Sequence, residues 1–418
     1  MTLMQSWVSS ANGQDTPFPL NNLPYGVFSV GADSPRCGVA IGDQILDMAA
    51  VEAAGLVTLA PHPVFAEPRW NPLMALGPQA WAALRNRLQA LLAMGASEQA
   101  ALAPFLVAQA KADMHMPLRV AEYTDFYAGK QHAQNMGEIL RGSPDLPANW
   151  LHIPIGYNGR ASSMVVSGTP IHRPNGQSKA PDAQRPSFGP TERLDIELEI
   201  GAILGTGCAH GQPITVDQAE EMIFGYVLLN DWSARDIQSW EYQPLGPFQG
   251  KAFATTISPW IVTTAALEPF RVPTPPREEA LLPYLDSSRD GLFDIALEVW
   301  MQPKGAHRPS LLSKTNYARL YYSAAEQLCH HASGGCGMNT GDVLGSGTIS
   351  GPDKSEYGSL MELSWAGRAP FVLDSGETRT FIEDGDTMIL SGAAHGEGYQ
   401  IGFGSCSGTI LPALKFPT

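Results

Sequence analysis

The residues best suited to chemistry are acidic side chains that alternate with apolar ones between Leu194 and Ile200. Successive side chains of a strand point to opposite faces, so this segment predicts a strand with Asp195, Glu197 and Glu199 on one face. Three neighbouring carboxylates repel one another unless a cation or water separates them. Mg²⁺ or Ca²⁺, which prefers oxygen ligands, would remove the repulsion. The alternation is equally typical of a half-exposed strand with a solvated acidic face.

Further candidate residues lie at the ends of other expected elements. Asp231 directly follows an apolar run that indicates a buried strand. Thr124 is a suitable N-cap for a helix reaching about Leu140, which would place Asp125 in its first turn. His132 lies seven residues further on and would share a helical face with Asp125. We therefore expect Asp125 to hold a metal ion beside His132, although His132 could equally be a packed or surface histidine.

The composition predicts a globular, strand-rich protein. The chain has 418 residues, of which 44% are hydrophobic and 16% charged, with 42 Gly and 34 Pro. So many turn-forming residues favour a β-rich fold over a helical bundle. The formal net charge of −15 argues against partners with phosphate backbones and against anionic membrane surfaces.

The cysteines and the apolar runs predict a cytoplasmic location. Five scattered cysteines without a C-x-x-C motif indicate a reducing compartment. The first residues show neither the basic nor the apolar region of a signal peptide. Apolar runs of the length that a membrane helix needs are lacking, so no membrane partner is expected.

The order of the sequence patterns predicts two domains, 1–118 and 119–418. Along the chain we expect short strands within 18–48, a helical region at 78–112, a long loop at 172–192, strands at 194–200 and 224–229, a helix around 315–331, and strands at 294–301, 358–365, 378–382 and 387–391. Strands outnumber helices after residue 190, which favours a large mixed β domain.

Common catalytic motifs are missing from the sequence. It contains no G-x-S-x-G, Walker A, G-x-G-x-x-G or H-E-x-x-H pattern. The cluster formed by Cys329, His330, His331 and Cys336 fits zinc-ligand spacing poorly. These absences leave the carboxylates and His132 as the main chemical candidates.

Many strings of residues resemble the fumarylacetoacetate hydrolase family. They run from Asn22–Phe28 almost to the end of the chain. Those in the second expected domain are Tyr123–Tyr127, Gln131–Ala133, Asn149–His152, Gly156–Ser163, Leu194–Glu199, Asn230–Gln238, Trp240–Phe248, Gly347–Pro352 and Gly402–Gly404. The resemblance implies a mainly β (α+β) fold with a small SH3-like N-terminal barrel, a large C-terminal mixed β-roll and a homodimer. It also implies hydrolysis of 4-fumarylacetoacetate to fumarate and acetoacetate, the last step of tyrosine and phenylalanine catabolism.

The resemblance implies three groups of site residues. The metal carboxylates are Asp125, Glu197, Glu199 and Asp231, with Lys251 and Thr255 near the ion, which would be Mg²⁺ and/or Ca²⁺. The catalytic group is His132 as proton acceptor, Glu362 as the carboxylate that orients it, and Arg235 and Lys251 near the reacting centre. The substrate contacts are Tyr127, Arg141, Tyr157, Gln238, Tyr242 and Thr348.

The expected chemistry fits these residue types. Cleavage between two carbonyl groups needs a base to activate water, and positive groups to stabilise the oxyanion and the leaving enolate. The expected partner is therefore a small dicarbonyl substrate. One alternative is an acylpyruvate-type or other β-diketone hydrolase of the same superfamily, although such enzymes usually lack the N-terminal domain. Another is a silent ligand-binding protein, which would be expected to have lost His132 or a carboxylate.

Overall fold

The computed structural model describes residues 2–417; Met1 and Thr418, the outer limits of the two expected domains, lie outside the described residues. The first part of the chain contains β1 (Tyr25–Val30), β2 (Arg36–Ile41), β3 (Gln44–Asp47), α1 (Met48–Ala53), α2 (Asn71–Met74), α3 (Pro78–Leu92), α4 (Gln99–Leu102), β4 (Leu106–Ala108) and β5 (Ala112–His115). Its strands form one antiparallel sheet in the order β4-β3-β2-β1-β5. The short strands expected within 18–48 are confirmed.

The helical region expected at 78–112 is correct only for its first half. Helix α3 buries the apolar stripe that predicted it, including Leu84, Leu88 and Leu91. Ala93 then adopts an extended conformation, with φ −62° and ψ 148°, so the helix ends at Leu92. The short helix α4 and strands β4 and β5 follow.

The remaining elements are mostly strands. In chain order they are β6 (Tyr123–Phe126), α5 (Lys130–Arg141), β7 (Gly156–Asn158), β8 (Met164–Val166), β9 (Ile171–His172), β10 (Asn175–Ser178), β11 (Ser187–Pro190), β12 (Leu194–Asp195), β13 (Leu198–Leu204), α6 (Val216–Met222), β14 (Ile223–Asp231), β15 (Ser233–Ala234), α7 (Arg235–Glu241), α8 (Gln249–Ala252), β16 (Thr255–Ile257), β17 (Val262–Thr263), α9 (Thr264–Leu267), β18 (Arg271–Val272), β19 (Leu292–Phe293), β20 (Ala296–Gln302), β21 (Ser310–Asn316), α10 (Ala324–Ala332), β22 (Val343–Gly345), α11 (Leu360–Leu363), β23 (Phe371–Val372), β24 (Thr378–Arg379), β25 (Thr387–Gly396) and β26 (Tyr399–Leu411).

An eight-stranded mixed sheet forms the centre of the molecule. Its order is β7-β6-β22-β13-β14-β16-β8, with β17 also paired to β14, and a second sheet has the order β21-β20-β25-β26-β9. Alternate residues of β14 enter two different cores: Tyr226 and Leu228 pack among residues of the later part of the chain. Phe224 and Val227 pack with side chains that precede residue 118. Burial on both faces explains the continuous apolar run, and the α+β fold class is confirmed.

The segment around Asp125 differs from the prediction. Asp125 lies on strand β6, which runs parallel to β22, and not in a helix. Helix α5 begins at Lys130, after Gly129. A Cβ at Gly129 would lie 2.2 Å from the carbonyl oxygen of Thr348, so the chain turns where only glycine fits. The expected helical face shared by Asp125 and His132 is therefore wrong.

The segment Leu194–Ile200 is not one strand. Its ladder breaks after Asp195, because β12 pairs with β15 whereas β13 pairs with β14 and β22. Asp195, Glu197 and Glu199 are respectively 0%, 6% and 0% exposed, so the alternative of a solvated acidic face is also wrong. Burial of both faces brings these carboxylates into the interior.

Three further expectations need correction. The expected loop 172–192 contains the hairpin of β10 and β11, whose Pro190 stands at the strand end where proline is tolerated. The expected strand 358–365 contains helix α11, because Ser359 caps it by accepting a hydrogen bond from the backbone N–H of Glu362. The expected helix 315–331 begins only at Ala324, after the capping box of Ser323.

A helix that crosses a bilayer must be long and apolar. Across residues 2–417, no helix combines the length and the apolar character needed to cross a membrane.

Candidate active site

Four carboxylates from three strands and one connection meet in the interior. Asp125, Glu197, Glu199 and Asp231 each offer an oxygen atom, and these atoms all lie within 4.8 Å of one another. All four side chains are buried. The structure thus brings together the complete set of carboxylates that the sequence comparison with the family implied.

The register of the eight-stranded sheet produces this arrangement. Asp125 pairs with Gly345 across β6 and β22, and Gly345 pairs with Gly201 across β22 and β13. A Cβ at Gly345 would lie 2.6 Å from Oδ1 of Asp125 and 2.9 Å from Oε2 of Glu199. A residue without a side chain at this position therefore leaves the space in which two carboxylates face each other.

Lys251 neutralises one side of the cluster. Its Nζ donates hydrogen bonds to Oε2 of Glu197 at 2.6 Å and to Oδ2 of Asp231 at 2.5 Å. Burial tends to raise the pKa of Glu197, but Lys251 and Arg235 outweigh it and bring that pKa to about 2. A protonated amine has no lone pair for a metal, so Lys251 can balance charge beside an ion but cannot coordinate it.

On the other side of the cluster, Asp125 and Glu199 form no ion pair with any basic residue among residues 2–417. Burial, together with repulsion from Asp231, raises the pKa of Asp125. Burial and the charges of Asp125 and Asp231 raise the pKa of Glu199. The repulsion among the carboxylates is therefore not balanced by a positive charge at Asp125 and Glu199.

This donor set fits a hard divalent cation. Oδ1 of Asp125 and Oε1 of Glu199 are buried and have no hydrogen-bond partner within residues 2–417. Buried polar atoms without a partner are costly, and carboxylate oxygens are the ligands that Mg²⁺ and Ca²⁺ prefer. The free oxygen atoms and the space beside Gly345 make the cluster compatible with such an ion.

His132 and Glu362 form a buried hydrogen-bonded pair. Nδ1 of His132 lies 2.8 Å from Oε2 of Glu362, and the side chains are 3% and 0% exposed. Burial alone would raise the pKa of Glu362, but the charge of His132 and the surrounding hydrogen bonds bring it below its usual value. Because Nδ1 is engaged, Nε2 is the ring atom left for a proton from another molecule.

The pair lies close to the carboxylate cluster. Glu197 forms an isolated β-bridge with Ser359, whose hydroxyl donates to Oε2 of Glu362. The ring of Tyr127 packs edge-on against that of His132, with 5.5 Å between centroids. Glu362, Glu197 and Arg235 all influence the pKa of Tyr127, which burial raises most. The expected substrate contact Tyr127 therefore packs against the histidine in this buried region.

Helix α7 and the segment after β22 also carry buried polar atoms without partners. Within the described chain, the buried atoms Nη2 of Arg235, Oε1 of Gln238 and Oγ1 of Thr348 lack hydrogen-bond partners. Arg235 and Gln238 are one helical turn apart on α7, so their side chains share a face. Groups of this kind are available to bind the polar atoms of a substrate.

The other expected site residues occupy two kinds of position. The hydroxyl of Tyr157 donates to Oδ2 of Asp231 at 2.9 Å, and that of Thr255 donates to Oδ1 at 3.3 Å. Arg141 is exposed at the end of α5, where its Nη2 donates to the carbonyl of Asp145. Tyr242 is 47% exposed at the end of α7. Arg141 and Tyr242 thus occupy exposed positions at helix ends.

Several residues that support the site were not predicted from the sequence. Glu362 also accepts hydrogen bonds from Nδ2 of Asn135 at 2.8 Å, Oγ of Ser350 at 3.0 Å and Oγ of Ser359 at 2.7 Å. Asn135 lies one helical turn beyond His132, and the spacing of Ser359 and Glu362 is that of a capping box. These two spacings were signals available in the sequence, whereas the contact of Ser350 was not.

Comparisons with known proteins are consistent with this site. Residues 21–117 match the family model for the fumarylacetoacetase N-terminal region, and residues 122–411 match the one for the fumarylacetoacetate hydrolase C-terminal region. The chain belongs to the fumarylacetoacetate hydrolase family, and it is a hydrolase.

Similar proteins match over almost the whole chain. A fumarylacetoacetase from Homo sapiens is 48% identical over 96% of this chain and 98% of the relative. One from Arabidopsis thaliana is 45% identical over 99% of this chain and 100% of the relative. Among solved structures, a fumarylacetoacetate hydrolase from Exiguobacterium antarcticum has a TM-score of 0.52 at 16% identity, covering 93% of this chain and 99% of its own. That structural likeness concerns the fold alone.

Proposed function

We propose that this chain hydrolyses the carbon–carbon bond of 4-fumarylacetoacetate, giving fumarate and acetoacetate. The observation that carries the proposal is the buried pair of His132 and Glu362 beside a cluster of four carboxylates. Relatives with 45% and 48% identity over nearly the full length carry the name fumarylacetoacetase. The site and the relatives therefore support the same reaction.

His132 is the proposed base. Its Nε2 takes a proton from water, while Glu362 holds Nδ1 and stabilises the imidazolium that forms. The resulting hydroxide attacks the carbonyl carbon of the fumaryl group, and the bond between this carbon and the adjacent CH₂ of the acetoacetate part breaks. The electron pair leaves with the acetoacetate carbon, which takes the proton back from His132.

Arg235 and Lys251 supply fixed positive charge during these steps. Within the described residues, Nη2 of Arg235 and the hydroxyl of Thr348 have no hydrogen-bond partner. Both groups can therefore donate to a negative oxygen atom. Preorganised donors of this kind stabilise an oxyanion without reorganisation. Arg141, with its fork of donors, would bind a substrate carboxylate by turning from the carbonyl of Asp145.

Asp125, Glu197, Glu199 and Asp231 would hold Mg²⁺ and/or Ca²⁺. When bound, such an ion polarises carbonyl oxygen atoms and offsets developing negative charge. The unpaired carboxylate oxygen atoms support this assignment. Titration of ion-free protein with each metal, followed by calorimetry, distinguishes the two ions.

The main test follows the ultraviolet absorbance of fumarylacetoacetate. We expect the native protein to consume it with Mg²⁺, to lose activity in EDTA and to regain activity when Mg²⁺ is restored. An acylpyruvate supplied in parallel tests the alternative of another β-diketone hydrolase. Rapid consumption of the acylpyruvate with little loss of fumarylacetoacetate would contradict the proposed substrate.

We also infer a homodimer that acts in the cytoplasm, in tyrosine and phenylalanine catabolism. Exposed apolar side chains support the dimer: Leu245 is 97% exposed, and Phe248 is 65% exposed. The five cysteines are all free thiols, which supports a reducing compartment. Light scattering at several protein concentrations would test the oligomeric state.

A further inference from the structure

Asp195 belongs to the acidic segment of the sequence but not to the carboxylate cluster, and the proposed reaction gives it no part. Its side chain is 0% exposed. A carboxylate buried so completely must be satisfied by hydrogen bonds or an ion pair, since an isolated buried charge is costly. Its partners therefore indicate what it does.

The two oxygen atoms of Asp195 join separate parts of the site. Oδ1 accepts hydrogen bonds from the backbone N–H groups of Ile196 and Leu360, both at 2.7 Å. Oδ2 accepts from the backbone N–H of Met361 at 3.0 Å and from Nε of Arg235 at 2.8 Å. One side chain thus contacts both α7 and α11, which are more than a hundred residues apart.

The contact with Arg235 fixes the direction of the guanidinium. Asp195 engages Nε, and Glu197 engages Nη1 at 2.7 Å. A planar guanidinium held at two nitrogen atoms cannot rotate. Its buried Nη2, which has no partner in the described part of the chain, is then held in one place.

The contacts with α11 fix the base. Leu360 and Met361 immediately precede Glu362, whose Oε2 lies 2.8 Å from Nδ1 of His132. A shift of these two backbone N–H groups would move Glu362 and, with it, the imidazole ring. The same carboxylate therefore sets the position of the oxyanion donor and of the proton acceptor.

We propose that Asp195 is a positioning residue that fixes the guanidinium of Arg235 relative to the pair of His132 and Glu362. This inference rests on the proposed function, because the importance of that spacing follows from the hydrolysis. A misplacement of about 1 Å at a reacting centre can cost about 100-fold in rate.

The test uses two substitutions of Asp195. Asp195→Asn removes the charge and must turn an amide donor towards an N–H group, whereas Asp195→Glu keeps the charge and displaces the carboxylate by one methylene. For each variant we expect kcat to fall by about 100-fold while KM changes by less than about threefold. The Glu variant tests position if the Asn variant does not fold.

Asp386→Asn is the matched control. Asp386 is 1% exposed, accepts two hydrogen bonds from Arg379, and accepts a third from the backbone N–H of Glu383. It resembles Asp195 in burial and in its arginine and backbone partners, but none of its side-chain hydrogen bonds within the described residues reaches a site residue. We expect it to lower the Tm as Asp195→Asn does, with kcat of the folded protein within about threefold of the wild type.

A proton resonance provides a measurement that needs no substrate. The hydrogen atom between Nδ1 of His132 and Glu362 should give a far-downfield NMR signal, assigned by its loss in His132→Ala. We expect this signal to shift or broaden in Asp195→Asn and to persist in Asp386→Asn. An unaltered signal, or a kcat within about threefold of the control, would overturn the inference. If the wild type fails to cleave fumarylacetoacetate, the proposed function fails, whereas the signal still decides the position of the base.

Discussion

Replacement of Glu362 by glutamine probes the proposed base most directly. The amide has nearly the shape of the carboxylate but lacks its charge. With its NH₂ group at the Oε2 position it would face Nδ1 of His132, forcing the ring proton onto Nε2, the atom that must accept one. With the group at the Oε1 position it would face Nδ2 of Asn135, another donor, whose own Oδ1 is held by Gln131 at 3.0 Å.

The size of the expected effect follows from the hydrogen bond between His132 and the charged Glu362. A hydrogen bond to a charged group contributes about 1.5–3 kcal/mol. Loss of that amount in the transition state corresponds to about 10- to 150-fold in rate. The wrong tautomer adds to this, and the comparable change in a serine protease triad costs about 10⁴-fold. We therefore expect kcat of Glu362→Gln to fall by about 10²- to 10⁴-fold.

The assay is steady-state loss of substrate absorbance, with the Tm measured in parallel. Glu220→Gln is a suitable control, because Glu220 is 8% exposed and pairs with Arg271 at 2.5 Å, outside the proposed site. The control should retain kcat. If Glu362→Gln turned over substrate as fast as this control, Glu362 could not stabilise the imidazolium, and the proposed role of His132 would need revision.

Two predictions concern the ion. Without the ion, the pKa values of Asp125 and Glu199 are raised in the folded protein. Their contribution to the free energy of unfolding is therefore greatest below the carboxyl pKa of the unfolded chain, about 4. It is lost as the pH rises through the pKa values of the folded protein. The Tm difference between Mg²⁺ and EDTA should therefore widen from about pH 5 to about pH 8, and a constant difference would contradict this account. In Glu199→Gln the repulsion is smaller, so its Tm in EDTA should equal or exceed that of the wild type, while calorimetry should show weaker Mg²⁺ binding; undiminished binding would remove Glu199 from the site.

The local patterns predicted some elements of the structure well. Apolar runs located β14 and the strands within 18–48. Asp125 shows where local signals fail. Its segment had a reasonable N-cap, but pairing of β6 with β22, more than two hundred residues later, makes it a strand.

Local sequence likewise predicted some residues of the site, whereas others depend on contacts between distant parts of the chain. Residue types indicated carboxylates around a cation, and the resemblance to the family supplied the set of residues. The separate environment of Asp195 could not be predicted, because it depends on a break in the ladder and on the backbone of α11. Gly345 gave no signal either, since the need for an absent side chain appears only when three strands are aligned.

The long separation between paired residues affects how the protein is made. His132 and Glu362 are 230 positions apart, and β22 must be inserted between β6 and β13 before Asp125 joins the other three carboxylates. During synthesis the N-terminal part emerges first, so a ribosome-bound chain that stops before residue 343 lacks the strand that joins Asp125 on β6 to the carboxylates of β13 and β14. Completion of the four-carboxylate cluster is consequently a late event in synthesis, and metal uptake by nascent chains of increasing length would report when Asp125 joins it.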